Sequence, residues 1–207
     1  MAKQTRDAEF TEFVAARAPW LRKVAYLLCG DWHRADDLVQ ESVTKLYVRW
    51  SRLSRLENLD GYARTVLVNT FLAEQRSPWG RWAARRRTGV VPEPAAAGTD
   101  LDLSVDLRRA LAALPPRQRA TVVLRHYCDL TVEQTAAALG CSTGNVKSQT
   151  SRGLDALRRS LDQQDRRDRT ERTERTERTD HPDLPHLRDR RDLRDLRPAV
   201  PVEGAVK

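Results

Sequence analysis

Apolar side chains recur at steps of three and four in two separate blocks of this chain, and between the blocks the rhythm stops. Such spacing gathers apolar groups on one side of a helix and does not suit a strand, whose side chains alternate with a period of two. Phe10, Phe13, Val14, Trp20, Leu21, Val24, Ala25 and Leu28 carry it first, with Pro19 expected to start a second helix or kink one. After Gly30 it continues through Leu38, Ser42, Val43, Leu46, Tyr47 and Trp50, a helix of about four turns beginning near Asp31 or His33. Asp60 then offers an N-cap to a third helix on which Tyr62, Ala63, Val66, Leu67, Thr70 and Phe71 share one face. The expected fold class is all-α.

The second block repeats the pattern with sharper punctuation. Leu107, Ala110, Leu111 and Leu114 form a short helix halted by Pro115 and Pro116, and Ala120, Val123, Leu124 and Tyr127 follow on the next. Thr131 and Gln134 have the spacing of a capping box, Gly140 supplies a left-handed stop, and Ser142 caps a longer helix ending near Leu161. Residues 1–77 and 105–161 thus read as two small helical domains. Residues 78–104, with Pro78, Pro92 and Pro94, read as a linker that is basic and then acidic. Residues 162–207, rich in RTE repeats, offer almost no apolar surface to repay ordering and read as a disordered charged tail.

Charge narrows the partners. The net charge is +8, and residues 162–207 hold 12 acidic and 12 basic side chains, so the whole excess belongs to the segment before them. From the end of the first block into the linker, Arg76, Arg81, Arg85, Arg86 and Arg87 interleave with Trp79 and Trp82, a composition suited to a phosphate backbone or an acidic groove. The three cysteines, Cys29, Cys128 and Cys141, form no CxxC pair, which favours a reducing compartment, and no apolar run is long enough to span a bilayer. A soluble, cytoplasmic chain without membrane insertion is expected.

Enzyme chemistry has little to stand on. The chain lacks a Gly-rich phosphate loop, a nucleophile elbow and an HExxH pair. Cys29 with His33, and His126 near Cys128, lack the tight paired spacing of structural zinc sites, so neither a metal nor a cofactor is expected. The stretch VEQTAAALGCSTGNVKSQTSRGLDALRRSL, by contrast, is two helices around a Gly-containing turn, the arrangement of a helix-turn-helix. At 100° per residue, Val146, Thr150, Gly153, Leu154 and Leu157 fall on one side of the second helix. Lys147, Ser148, Ser151, Arg152 and Arg159 fall on the other, with Gln149 on the flank, a set of donors for phosphates and base edges.

Two stretches then carry a family resemblance. RADDLVQESVTKLYVRW followed by ENLDGYARTVLVNTFLAEQRS resembles region two of extracytoplasmic-function sigma factors, and residues 105–161 resemble region four of the same family, in the same order. The overall pattern is similar to an actinobacterial, sigma-E-like branch. The resemblance implies a promoter-specificity subunit that catalyses nothing itself, with core RNA polymerase, through the coiled-coil of its largest subunit and its flap, and promoter DNA as partners. Many relatives are held inactive by an anti-sigma protein, which is therefore a candidate partner.

The residue roles it implies are as follows. Asp37, Leu38, Gln40 and Glu41 match the acidic helix that docks on the coiled-coil. Asn69 matches an asparagine bordering the pocket for an extruded minus-ten base, whose edge an amide can both donate to and accept from. Tyr62 stands where the family often has tryptophan, yet lies on the apolar stripe and suits the core equally; Arg64 and Arg76 would hold the strand backbone. Lys147, Gln149 and Arg152 match the minus-thirty-five reading positions. Some members have arginine in place of Gln149, and because glutamine favours adenine over guanine, a different upstream sequence follows. Thr150 replaces a common bulky apolar residue, so packing there is expected to be looser. The competing reading is a helix-turn-helix regulator that works without polymerase, with residues 10–77 as a sensing or dimerising unit.

Overall fold

A computed structural model describes residues 2–53, 56–77 and 104–179, and every regular element among them is helical. Most of the expected linker, with its tryptophans and Arg81, Arg85, Arg86 and Arg87, lies outside the described residues, as does the tail from residue 180.

The first group comprises α1 (Ala2–Cys29), α2 (Trp32–Leu53) and α3 (Leu59–Arg76). Of the two outcomes expected at Pro19, a new helix start or a kink, the new start does not occur, and α1 runs through it. Pro19 removes one donor to the Ala15 carbonyl, and both residues are exposed, where water can take the vacant acceptor. Asp31 caps α2, its carboxylate accepting from the Arg34 amide at 2.9 Å. The cap of α3 is Asn58 and not Asp60: the Asn58 side chain accepts from the Gly61 amide at 2.8 Å. Asp60 sits in the first turn, 2.7 Å from Arg17 of α1, and a second ion pair, Arg34 with Glu74, ties α2 to the end of α3. Between the helices, Phe10 meets Tyr47 and Trp50 at ring-centroid distances of 5.1 and 5.0 Å.

The second group comprises α4 (Val105–Ala113), α5 (Pro116–Val122), α6 (Val132–Leu139) and α7 (Thr143–Thr179). Ser104 caps α4, and Pro116 opens α5 at a position where its missing N–H costs nothing. Helix α5 passes into a π-helical turn over Val123–Tyr127, closed by the Cys128 amide donating to the Val123 carbonyl at 3.0 Å. Both arms of the capping box form, at 2.9 and 3.1 Å, and Gly140 ends α6 at φ 59°. The Cys141 amide reaches back to the Ala136 carbonyl at 3.0 Å, fixing the turn into α7.

Helix α7 continues beyond Leu161 as far as Thr179. The repeated threonines are accommodated because hydroxyls such as those of Thr170 and Thr173 donate to carbonyls four residues earlier, each at 2.9 Å. From Arg166 onward the chain forms a unit separate from the residues up to Asp165.

Within the unit ending at Asp165, one apolar cluster runs through both helical groups, from Phe10 to Leu157. Helix α1 is its centre: Val24, Ala25, Tyr26, Leu27, Leu28 and Cys29 are all buried. Within the second group, α7 lies so close to α5 that a Cβ added at Gly153 would stand 2.7 Å from Cγ2 of Val122. Valine is stiff about χ1 and cannot swing clear. Gly153→Ala is therefore expected to lower stability by about 1–2 kcal/mol despite alanine's better helix propensity. Gly144→Ala, whose added Cβ meets only Ser142 Oγ at 4.0 Å, is expected not to destabilise; equilibrium denaturation of both variants checks the contrast.

Candidate nucleic-acid interface

The turns of α2 and α3 that face each other enclose an open groove of about 640 Å³, and three of the sequence-selected residues, Tyr62, Asn69 and Arg76, line it together. Tyr62 is half-buried, and its hydroxyl accepts from the Arg49 guanidinium at 3.3 Å, so it serves packing and groove at once. Thr70 forms the floor: it is buried, and its hydroxyl accepts from Lys45 Nζ at 3.0 Å. The wall from α2 is made by Thr44, Lys45, Val48 and Arg49. Val48 is 77% exposed, an aliphatic surface offered to solvent between two cations. Cations, an amide, an aromatic hydroxyl and apolar side chains together suit a nucleic-acid strand, whose backbone is anionic and whose bases have flat apolar faces.

Lys45, Val48 and Arg49 escaped the sequence reading, which followed the buried stripe of α2 through Leu38, Ser42, Leu46 and Trp50. The signal was present in two bases one turn apart, with an aliphatic residue between them off the stripe. Arg64 does not join this groove. Its guanidinium lies 5.1 Å from the Trp20 ring, on the side of α3 that faces a second groove shared with Leu130, Gln134 and Ala138.

The acidic helix start divides in two. Asp37, Gln40 and Glu41 are exposed, with Glu41 paired to Lys45 at 2.7 Å. Leu38, expected beside them as a contact residue, is 4% exposed and belongs to the core. One residue earlier, Asp36 turns toward α1. Arg22 binds both its carboxylate oxygens, at 2.5 and 3.0 Å, while lying over Trp32, which itself stacks on Tyr26 at 3.9 Å. The hydrogen bond from Arg22 holds the Asp36 carboxyl below its usual range. This pair fixes the α2 start, and hence the direction in which Asp37 and Glu41 project.

On α7, the division expected from helical geometry is present except at Ser148, expected on the outer side. Val146, Gly153 and Leu157 are buried, and Lys147, Ser151 and Arg152 are exposed; Ser148 and Gln149 are half-buried on the flank. Thr150 is half-buried, its hydroxyl donating to the Val146 carbonyl at 2.8 Å. None of the cysteines lines the α2–α3 groove. Burial pushes the thiols of Cys29 and Cys128 up to about 11, and Cys29 donates to the Asp31 carbonyl at 3.1 Å. Among the described residues, no group of three or more His, Cys, Asp or Glu side chains could hold a metal, and no helix is long and apolar enough to cross a membrane.

The chain thus carries a three-helix unit with a cationic groove and, after it, two helices around a tight turn that end in α7. Residues 13–81 match sigma-70 region 2, and residues 104–157 match sigma-70 region 4. The RNA polymerase sigma-E factor of Streptomyces coelicolor is 38% identical over 166 residues, covering 76% of this chain and 88% of that protein. Its counterpart in Streptomyces avermitilis is 36% identical over 166 residues, covering 76% and 87%. Among solved structures, the sigma factor RpoE in complex with the anti-sigma factor NepR from Bartonella quintana aligns with a TM-score of 0.60 at 30% identity, covering 74% of this chain and 97% of that one. The chain belongs to the sigma-70 family of RNA polymerase sigma factors, in the sigma-E-like branch of its extracytoplasmic-function group.

The Arg22–Asp36 pair yields a pH-dependent expectation. Because the folded carboxyl titrates below the unfolded one, near about 3.9, its contribution is complete above that value and is lost as pH falls through the folded pKa. Asp36→Asn is expected to be less stable than the parent by roughly 0.5 kcal/mol at pH 7, the size of a solvent-screened pair. That gap should narrow as pH falls below about 3.9 and through the lowered folded pKa, as urea denaturation across an acid pH series would register.

Proposed function

We propose that this sigma factor directs RNA polymerase to its promoters through two surfaces, one on α2 and α3 and one on α7. The observation that carries this reading is the groove that unites Tyr62, Asn69 and Arg76 with Lys45 and Arg49 in the same chain as the exposed Lys147, Ser151 and Arg152. The groove captures the extruded minus-ten strand. Asn69 supplies the amide that reads a base edge, Arg76 and Arg49 hold phosphates, and Val48 lies against a base. Arg64 acts from the adjoining side of α3. Helix α7 enters the minus-thirty-five major groove, where Lys147 and Arg152 position it, Ser148 and Ser151 contribute hydroxyl donors, and Gln149 reads a base.

Asp37, Gln40 and Glu41 meet basic residues of the largest-subunit coiled-coil, and Leu38 holds their helix to the core from below. The protein itself catalyses nothing and works in the cytoplasm, where the polymerase is. An anti-sigma protein is a further partner, in line with the complex of the Bartonella sigma factor. Joining both surfaces to one polymerase raises the effective concentration of each at its element, so neither need bind DNA tightly alone. A regulator acting without polymerase would need no acidic docking surface on α2.

Transcription from a genomic promoter library by sigma-free core polymerase tests the whole reading: new start sites sharing two spaced elements are expected only when this protein is added. Asn69→Ala should reduce promoter opening, read by permanganate reactivity of unpaired thymines, at least tenfold more than it reduces binding to closed duplex. Replacing Lys147 and Arg152 by alanine together should weaken upstream recognition about tenfold or more while polymerase affinity, measured by fluorescence anisotropy, stays within twofold.

A further inference from the structure

The two α2 cations of the groove are each tied to α3. Lys45 Nζ donates to the Thr70 hydroxyl at 3.0 Å, and the Arg49 guanidinium donates to the Tyr62 hydroxyl at 3.3 Å. Lys45 and Arg49 stand one turn apart on α2, about 6 Å along its axis, and their partners on α3 come in the reverse order along the chain. The groove is therefore crossed by two rungs, each made of a cation from one helix and a hydroxyl from the other. Between the rungs, in sequence on their own helices, lie Val48 on α2 and Thr65, Val66 and Asn69 on α3, all lining the groove.

The choice of acceptor matters. A long cationic side chain loses rotamer freedom when it is fixed on a ligand, and that loss weakens binding unless folding has already fixed the side chain. A carboxylate would fix it too, but would offset the charge that a phosphate has to meet. A hydroxyl holds the cation and leaves its charge whole. Both kinds of partner are present here: Lys45 also pairs with Glu41 at 2.7 Å, whereas Tyr62, the partner of Arg49, is neutral. Of the two cations, Arg49 presents the fuller charge.

The residue types on α3 fit this role. At position 62, phenylalanine would offer no acceptor, and tryptophan, which the family often carries there, has only the donor of its indole. Thr70 is 3% exposed, so its hydroxyl meets the Lys45 ammonium in place of bulk water.

We infer that Tyr62 and Thr70 are positioning residues for strand capture: their hydroxyls hold Arg49 and Lys45 at a fixed spacing, so that neighbouring phosphates of one strand meet cations already in place while a base between them rests on Val48 and Val66. The inference deepens the groove reading proposed above and rests on it. Tyr62 and Thr70 act through the cations, and neither has to touch the strand.

A double-mutant cycle on the holoenzyme, assembled from the full chain at saturating core polymerase, tests it. The probe is a fork DNA taken from a promoter that the holoenzyme transcribes, single-stranded across the minus-ten element, and binding is followed by fluorescence anisotropy over a series of salt concentrations. Arg49→Ala should weaken binding and make the slope of log affinity against log salt shallower by about 0.7, the loss of one single-strand phosphate contact. Tyr62→Phe, which keeps the ring, should weaken binding about threefold to tenfold, the effect of ordering one long side chain on binding. In a chain that already carries Arg49→Ala, the same Tyr62→Phe should change affinity less than twofold, because the side chain it positions is gone. Thr70→Val should behave toward Lys45→Ala in the same way.

Each variant is first matched to the parent in helicity, and if Thr70→Val fails that match the Tyr62 arm decides. A loss on Tyr62→Phe that is the same with and without Arg49, or no loss in either background, would overturn the inference while the groove reading stands. Unchanged affinity and unchanged salt slope in both Arg49→Ala and Lys45→Ala would instead remove the strand from the groove, and the inference with it.

Discussion

The end of α1 sets the terms for everything around it. Six consecutive residues, Val24 to Cys29, are buried, and a helix turns through well over a full circle in six residues. Burial on every side requires neighbours on every side. Helices α2 and α3 cover one aspect, and α4, α5 and the π-helical turn cover another. A helix that ends inside such packing brings acceptors with it: Gly30 satisfies the Tyr26 carbonyl at 2.7 Å, and Arg119 satisfies that of Leu28. Removing the second group would expose both apolar surface and an unserved carbonyl, so the junction is part of the core of each half.

The same feature marks where the sequence was legible and where it was not. Periodicity identifies the inward side of α1 through Phe10, Leu21, Val24, Ala25 and Leu28, because that side packs against helices near in the chain. Tyr26, Leu27 and Cys29 are buried as well, Tyr26 beneath Trp32, and no three-and-four spacing announces a helix end enclosed on every side. The same holds on α3, where Val68 and Leu72 are buried beside the expected Leu67 and Phe71. Leu38 shows the reverse case, a residue named with a docking surface and found buried. A motif that names a docking helix includes the residues that hold the helix in place, and only burial separates them from the residues that touch a partner. Capping chemistry was the most readable signal. Thr131, Gln134, Gly140 and Ser142 act within four residues of themselves, so their geometry needs no knowledge of the rest of the fold. Asn58 was passed over for Asp60 because both residue types can cap, and only the backbone direction chooses between them.

The groove between α2 and α3 was half legible for a related reason. Tyr62, Asn69 and Arg76 came from a family motif on α3, whereas Lys45, Val48 and Arg49 belong to α2, whose motif is acidic and points elsewhere. A groove is a property of two helices in register, held here by Arg34 with Glu74 and by Lys45 with Thr70. Neither helix contains it alone.

The two sides of α7 have different obligations. Toward α5 the fit is so close that Gly153 admits no added carbon, whereas Lys147, Ser151 and Arg152 stand in solvent, with no part in the core. Substitutions on the outer side are therefore nearly free of cost to folding, and those on the inner side are not. On the reading proposed for α7, such a helix can drift over evolutionary time from one set of promoters to another through its exposed positions while the scaffold stays fixed. A bacterium that duplicates the gene then has a short route to a second regulon.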